Sequence, residues 1–127
     1  MGSSLLVGMR VLVVEDEALI AMMIEQMLND LGCTVIGPAP SLPQAMKLLE
    51  ASQVSTAILD LNLRGAFVYP LARTLKEGGI PFVFITGYTD LRIPHDFANT
   101  TTLTKPFAGA DLIAALLNLT DRCSACS

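Results

Sequence analysis

The chain has no tryptophan, a single histidine and only three cysteines among its 127 residues. Cys33, Cys123 and Cys126 are too few, and odd in number, for a disulfide scaffold, and they suit a reducing compartment. Cys123 and Cys126 form a C-x-x-C pair, but a zinc site needs two further ligands at matching spacing, and His95 is distant. The pair reads as two free thiols in a polar tail. Basic residues are also scarce: eight Lys and Arg stand against twelve Asp and Glu, for a net charge of -4. Without clustered cations there is no phosphate neutralisation to supply affinity, which excludes direct binding to DNA or RNA. No apolar run reaches the ~18–20 residues that span a bilayer. The opening Met1–Gly8 lacks the basic region of a signal peptide and reads as a frayed terminus, in part vector-derived. A cytoplasmic chain with no membrane contact is the expectation.

What is present is apolar material, 52% of the residues, with 16% charged. That suffices for the core of one domain, here placed at residues 9–120 with a C-terminal tail over 121–127. Met9–Val14 is a near-continuous aliphatic run of the kind a strand buried on both faces requires. Leu19, Ile20, Met23, Ile24, Met27, Leu28 and Leu31 then recur at helical steps, and Gly32 follows as a C-terminal cap. Cys33–Gly37 is a second strand. Ser41 and Gln44 read as a capping box ahead of a helix carrying Ala45, Met46, Leu48 and Leu49. Thr56–Leu59 is a strand ending at Asp60, and 66–76 is predicted helical. Pro81–Ile85 is a strand ending at Thr86-Gly87. Residues 88–99 are ambiguous, because Pro94 interrupts any helix there. Thr101–Thr104 and 108–119 read as a last strand and helix. Five strands joined by helical crossovers run parallel, with helices on both faces of the sheet.

Polar residues converge at one edge of that sheet. The first strand ends in Glu15-Asp16, the third in Asp60, the fourth in Thr86 and the fifth in Lys105, and the carboxyl edge of an open parallel sheet is where ligands bind. Clustered carboxylates without Cys or His select a hard cation, and Mg2+ suits a phosphate site. A carboxylate beside such an ion can attack a phosphoryl group, with an ammonium and a hydroxyl stabilising the transferring oxygens.

The motifs Val13-Val-Glu-Asp-Glu17, Leu59-Asp60-Leu-Asn-Leu-Arg-Gly65, Ile85-Thr86-Gly87 and Thr104-Lys105-Pro106-Phe107 resemble those of the receiver domain of bacterial two-component response regulators. The resemblance covers Met9 to Leu119. It implies a flavodoxin-like sheet of order 2-1-3-4-5. It implies Asp60 as phosphoacceptor, Asp16 as a direct Mg2+ ligand, Glu15 as an acidic partner acting through water, and the Asn62 carbonyl as a further ligand. Thr86 and Lys105 would contact phosphoryl oxygens. The implied donor is a histidine kinase or phosphotransfer protein, and the implied output is a phosphorylation-dependent protein contact by a monomer or weak homodimer. No enzymatic turnover is implied beyond the domain's own aspartyl phosphorylation and dephosphorylation.

Two departures stand out. Most receivers carry an aromatic residue three positions before the lysine, where this chain has Thr102. Pro81-Phe-Val-Phe-Ile-Thr-Gly-Tyr88 is similar to the motif of the so-called FATGUY regulators, an alphaproteobacterial group that often stands alone, although one residue is missing between Gly87 and Tyr88. Tyr88, with 89–99, is therefore the candidate switch. Three alternatives are weaker. A haloacid dehalogenase-type phosphatase needs a second Asp where Asn62 stands. A flavodoxin-like cofactor binder needs a Gly-rich loop after the first strand. A pseudo-receiver has no reason to keep all five site positions. Excision from a hybrid kinase or a larger regulator would give the same sequence.

Overall fold

The computed structural model describes residues 6–87 and 93–126, with side chains as far as Leu119. In chain order the elements are β1 (Arg10–Val14), α1 (Ala18–Asp30), β2 (Thr34–Ala39), α2 (Leu42–Ala51) and β3 (Thr56–Asp60). A small hairpin follows, β4 (Asn62–Leu63) and β5 (Ala66–Phe67), then α3 (Tyr69–Glu77), β6 (Phe82–Thr86), a 3-10 turn at His95–Phe97, β7 (Thr102–Thr104) and α4 (Gly109–Cys126). The five longer-range strands form one parallel sheet in the order β2-β1-β3-β6-β7. With the hairpin strands set aside, that is the expected 2-1-3-4-5 order.

Alternation along each strand divides the core in two. Leu12, Val14, Ala57, Leu59, Phe82 and Phe84 face α2, α3 and Phe97. Val11, Val13, Ile58, Val83 and Ile85 face Ile24 and Leu28 of α1 and Leu112 and Leu116 of α4. Strands buried on both faces explain the unbroken apolar runs in the sequence.

Several expectations are corrected. Residues 6–8 are not frayed: Leu6 is fully buried, its carbonyl accepts from Cys33 Sγ at 3.2 Å, and Gly8 N donates to Gly32 O at 2.9 Å. On α1, Ala21, Ile24 and Leu28 are buried, whereas Leu19 is 83% and Met23 46% exposed. Leu19 precedes Ile24 by five residues, about 140° around the helix, so the seven-residue stripe is wider than the strip the sheet covers. The helix does end as expected. Gly32 at φ +85 lets Gly32 N and Cys33 N reach back to Asn29 O and Leu28 O.

Residues 66–68 are not helical. Arg64 and Gly65 both have positive φ, 52° and 87°, which makes the tight turn of the β4–β5 hairpin. Helix α3 starts only at Tyr69, with Pro70 in its first turn, where no amide hydrogen is needed. The Ser41 cap is present, Gln44 N donating to Ser41 Oγ at 3.4 Å, but the hydroxyl itself donates to Gln44 Oε1 in place of the reciprocal backbone bond. Helix α4 runs to Cys126, past the expected end at Leu119, so the backbone of the supposed tail is helical to that point. Tyr88 lies outside the described residues. The ambiguous segment that follows contributes one 3-10 turn directly after Pro94, and His95 is exposed there.

Where β1 meets β2 the register slips between Leu12 and Val14, and Gly37 stands opposite the slip at φ +103. A Cβ there would lie 2.8 Å from Ala39 N and 2.9 Å from Val13 O, both backbone atoms that cannot swing away. The same bulge sets Ala39 O to accept from Glu15 N at 3.0 Å. Gly37→Ala is therefore expected to cost at least about 2 kcal/mol, from the disfavoured backbone region plus the overlap. Urea denaturation measures it, and a loss below half that would contradict the packing described.

Candidate functional site

The carboxyl ends of β1, β3, β6 and β7 deliver their polar residues to one edge. Glu15, Asp60 and Thr86 are buried there, with Asp16 and Lys105 partly so. One carboxylate oxygen from each of Glu15, Asp16 and Asp60 can be chosen so that all lie within 4.8 Å of one another. Lys105 is fixed by the β6–β7 pairing, its own N–H donating to Thr86 O at 2.7 Å. Its Nζ reaches Glu17 Oε1 at 2.7 Å, Glu15 Oε1 at 3.0 Å and Asp60 Oδ2 at 3.1 Å. The other oxygen of Asp60 accepts from Asn62 N at 3.3 Å, and Asn62 Oδ1 accepts from Gly65 N at 2.8 Å, tying the hairpin turn to the site. A cleft of about 570 Å3 opens over these groups, lined by Asp16, Asp60, Asn62, Arg64, Gly65 and Lys105 among others.

The charge balance is tight. Burial, then hydrogen bonding to Asp60 and its charge, push the Glu15 carboxyl up to about 7, against the opposing pull of Lys105. Burial works to lower the Lys105 value, but its hydrogen bonds to Glu17 and Glu15 and the charges of Asp60 and Glu15 hold it above the usual lysine range. Among the described residues, Glu15 Oε2 is buried without a hydrogen-bond partner. An orphaned carboxylate oxygen beside two other carboxylates, with no His or Cys in the set, is a donor arrangement that fits a hard divalent cation or its bound water.

Glu15, Asp16, Asp60, Asn62, Thr86 and Lys105 thus stand where the sequence places them. Thr102 does not join them. It pairs with Phe84 at the start of β7, and its hydroxyl donates to Thr100 O at 3.3 Å. Two further charged side chains join the site. Glu17 turns to Lys105. Arg64 places its Nε 3.9 Å from Asp16 Oδ2, with most of its side chain exposed. An Arg-Gly pair between Leu63 and Ala66-Phe67 was the available signal for the turn that carries Arg64.

Fold and site together define an open α/β domain with a carboxylate–lysine pocket at the carboxyl edge of its sheet. The model of the response regulator receiver domain matches residues 11–117, and the chain belongs to that family, the receivers of two-component signalling. It is 31% identical over 111 residues to the transcriptional regulatory protein PdtaR of Mycobacterium tuberculosis, covering 84% of this chain and 54% of that protein. It is 32% identical over 110 residues to the phyllosphere-induced regulator PhyR of Methylorubrum extorquens, covering 84% and 41%. The chain therefore spans about half the length of the curated relatives it matches. Among solved structures, SdrG from Sphingomonas melonis Fr1 is similar, with a TM-score of 0.79 and 39% identity, over 88% of this chain and 96% of that one. PhyR from Brucella abortus gives a TM-score of 0.81 at 30% identity, over 97% and 53%. The near-complete coverage of SdrG agrees with the expected likeness to regulators that consist of one receiver.

Proposed function

We propose that this receiver accepts a phosphoryl group on Asp60 from a histidine kinase or histidine phosphotransfer protein, and signals through protein contacts that change with that modification. The observation that carries the reading is the Lys105 ammonium 3.1 Å from Asp60 Oδ2, inside a cluster of three carboxylates. In the reaction, an Asp60 carboxylate oxygen attacks phosphorus. The bond from phosphorus to the donor nitrogen, or to the oxygen of an acyl phosphate, breaks, and its electron pair leaves with the donor. The Lys105 ammonium stabilises one transferring oxygen and the Thr86 hydroxyl donates to another. Asp16, Asp60 and the Asn62 carbonyl would hold Mg2+, with Glu15 acting through water. When bound, the ion supplies neutralising charge for the phosphoryl oxygens.

The domain would perform no turnover beyond its own phosphorylation and dephosphorylation, in the cytoplasm, as a monomer or weak homodimer. In support, no helix among the described residues is long and apolar enough to cross a membrane. A second SdrG structure, of the BeF3-activated conformation, matches at 39% identity with a TM-score of 0.71. With Thr102 off the pocket, the segment from Tyr88 to Asn99 remains our candidate for the switch.

Incubation with Mg2+ and acetyl phosphate tests the chemistry. Intact mass should rise by one phosphoryl group for the wild type and stay unchanged for Asp60→Asn. A wild type that gains nothing at any Mg2+ concentration sinks the reading.

A further inference from the structure

Helix α1 begins without a side-chain cap. Its N-cap residue is Glu17, in extended geometry, with no hydrogen bond from its side chain to the first-turn amides. Ser, Thr, Asp or Asn at that place would satisfy one of those amides and stabilise the helix. Glu17 instead sends Oε1 to Lys105 Nζ at 2.7 Å, the shortest of the ammonium's three carboxylate contacts among the described residues. The other two partners, Glu15 and Asp60, are buried, while the Glu17 side chain is 59% exposed. Glu17 is thus the one partner of the three that can give up Lys105 and take water in its place. Its backbone N–H also donates to Glu15 Oε1 at 3.1 Å, which keeps residue 17 within reach of the pocket whatever its side chain does.

We propose that Glu17 is a positioning residue: it holds the Lys105 ammonium back in the unmodified protein and competes with the incoming phosphoryl group for it. The inference rests on Asp60 being the phosphoacceptor. The step itself is unaltered: with acetyl phosphate, the bond from Asp60 oxygen to phosphorus forms, the bond from phosphorus to acetate oxygen breaks, and acetate leaves with the electron pair. What Glu17 changes is the cost of bringing Lys105 to the transferring oxygens. It also adds one negative charge at the mouth through which an anionic donor enters.

The test compares phosphorylation rates with acetyl phosphate and Mg2+ for the wild type, Glu17→Gln and Glu17→Ser. Both variants should react roughly two- to fivefold faster, the range that loss of a partly exposed ion pair allows. Their effects on the fold should differ, since only Ser supplies a capping hydroxyl and should raise the melting temperature. A gain shared by both variants, despite their different stability, assigns it to the lost charge. Added salt should narrow the gap between wild type and variants, because the exposed pair is screened. A phosphorylated wild type with unchanged or slower variants overturns the role of Glu17 alone. Absence of phosphorylation in all three proteins overturns the Asp60 reading and this one with it.

Discussion

The Lys105→Met variant should lose about 3–5 kcal/mol of stability at pH 8 and roughly 1 kcal/mol less at pH 5, because removing the ammonium leaves buried carboxylates without their counter-charge. Glu15 and Asp60 are both nearly sealed from water, and each lies within hydrogen-bond reach of the same Nζ. The pH dependence follows from Glu15, whose carboxyl is already raised from 4.5 to about 7 in the folded protein. A carboxyl raised by folding binds more protons in the folded state. Its contribution is therefore fully present below the unfolded value and is lost as pH climbs through the folded one. Lys105 opposes the rise, so its loss extends the falling limb to higher pH. Urea denaturation at the two pH values reads the effect directly. Equal losses at both would mean that the ammonium acts through packing rather than charge. Added Mg2+ should restore part of the stability at pH 8, since a cation bound only by the folded state shifts the equilibrium by mass action.

Phe97→Ala is the second large effect, a loss of about 3–5 kcal/mol. Phe97 is 1% exposed and lies at the centre of an aromatic cluster. It stacks on Tyr69 at 5.8 Å and meets Phe84 at 5.6 Å and Phe82 at 6.0 Å edge to face. Arg73 and Lys76 sit over the same ring, 5.4 and 5.5 Å from its centroid, and Lys76 Nζ also donates to Asp96 O at 2.7 Å. A single buried ring therefore fastens the 3-10 turn to α3 and β6. The variant should also lose hydrogen-exchange protection at Ala98 and Thr100, whose amides donate to His95 O and Phe97 O. A loss smaller than about 1.5 kcal/mol would show that the pocket collapses around the deletion and that the turn is held by its polar contacts instead.

The strands were legible because burial on both faces writes a strand as an unbroken apolar run, and Val11–Val14, Thr56–Leu59 and Phe82–Ile85 are all of that kind. The site was legible for a related reason: charged residues that end such runs have only one edge of the sheet to occupy. Side-chain direction was not legible. Nothing in the order of residues says that Glu17 turns to Lys105 instead of to its own helix, or that Leu19 and Met23 face outward while Ile24 faces in. Phe97 was passed over because an isolated aromatic residue after Pro94 has no periodicity to reveal it. Its partners come from Tyr69, Phe82 and Phe84, up to 28 residues away in sequence. The start of α3 was missed because the hairpin depends on Arg64 adopting positive φ, which a non-glycine residue seldom does.

Leu6 bears on where this polypeptide can be cut. The family match begins at residue 11 and β1 at Arg10, yet Leu6 is fully buried in the apolar cluster shared by α1 and α4 and lends its carbonyl to Cys33. A domain trimmed to its first strand would lose that side chain and leave an open slot in the cluster. Anything joined ahead of the sheet, whether an affinity handle, a reporter or another domain, has to leave Leu6 and the turn behind it in place.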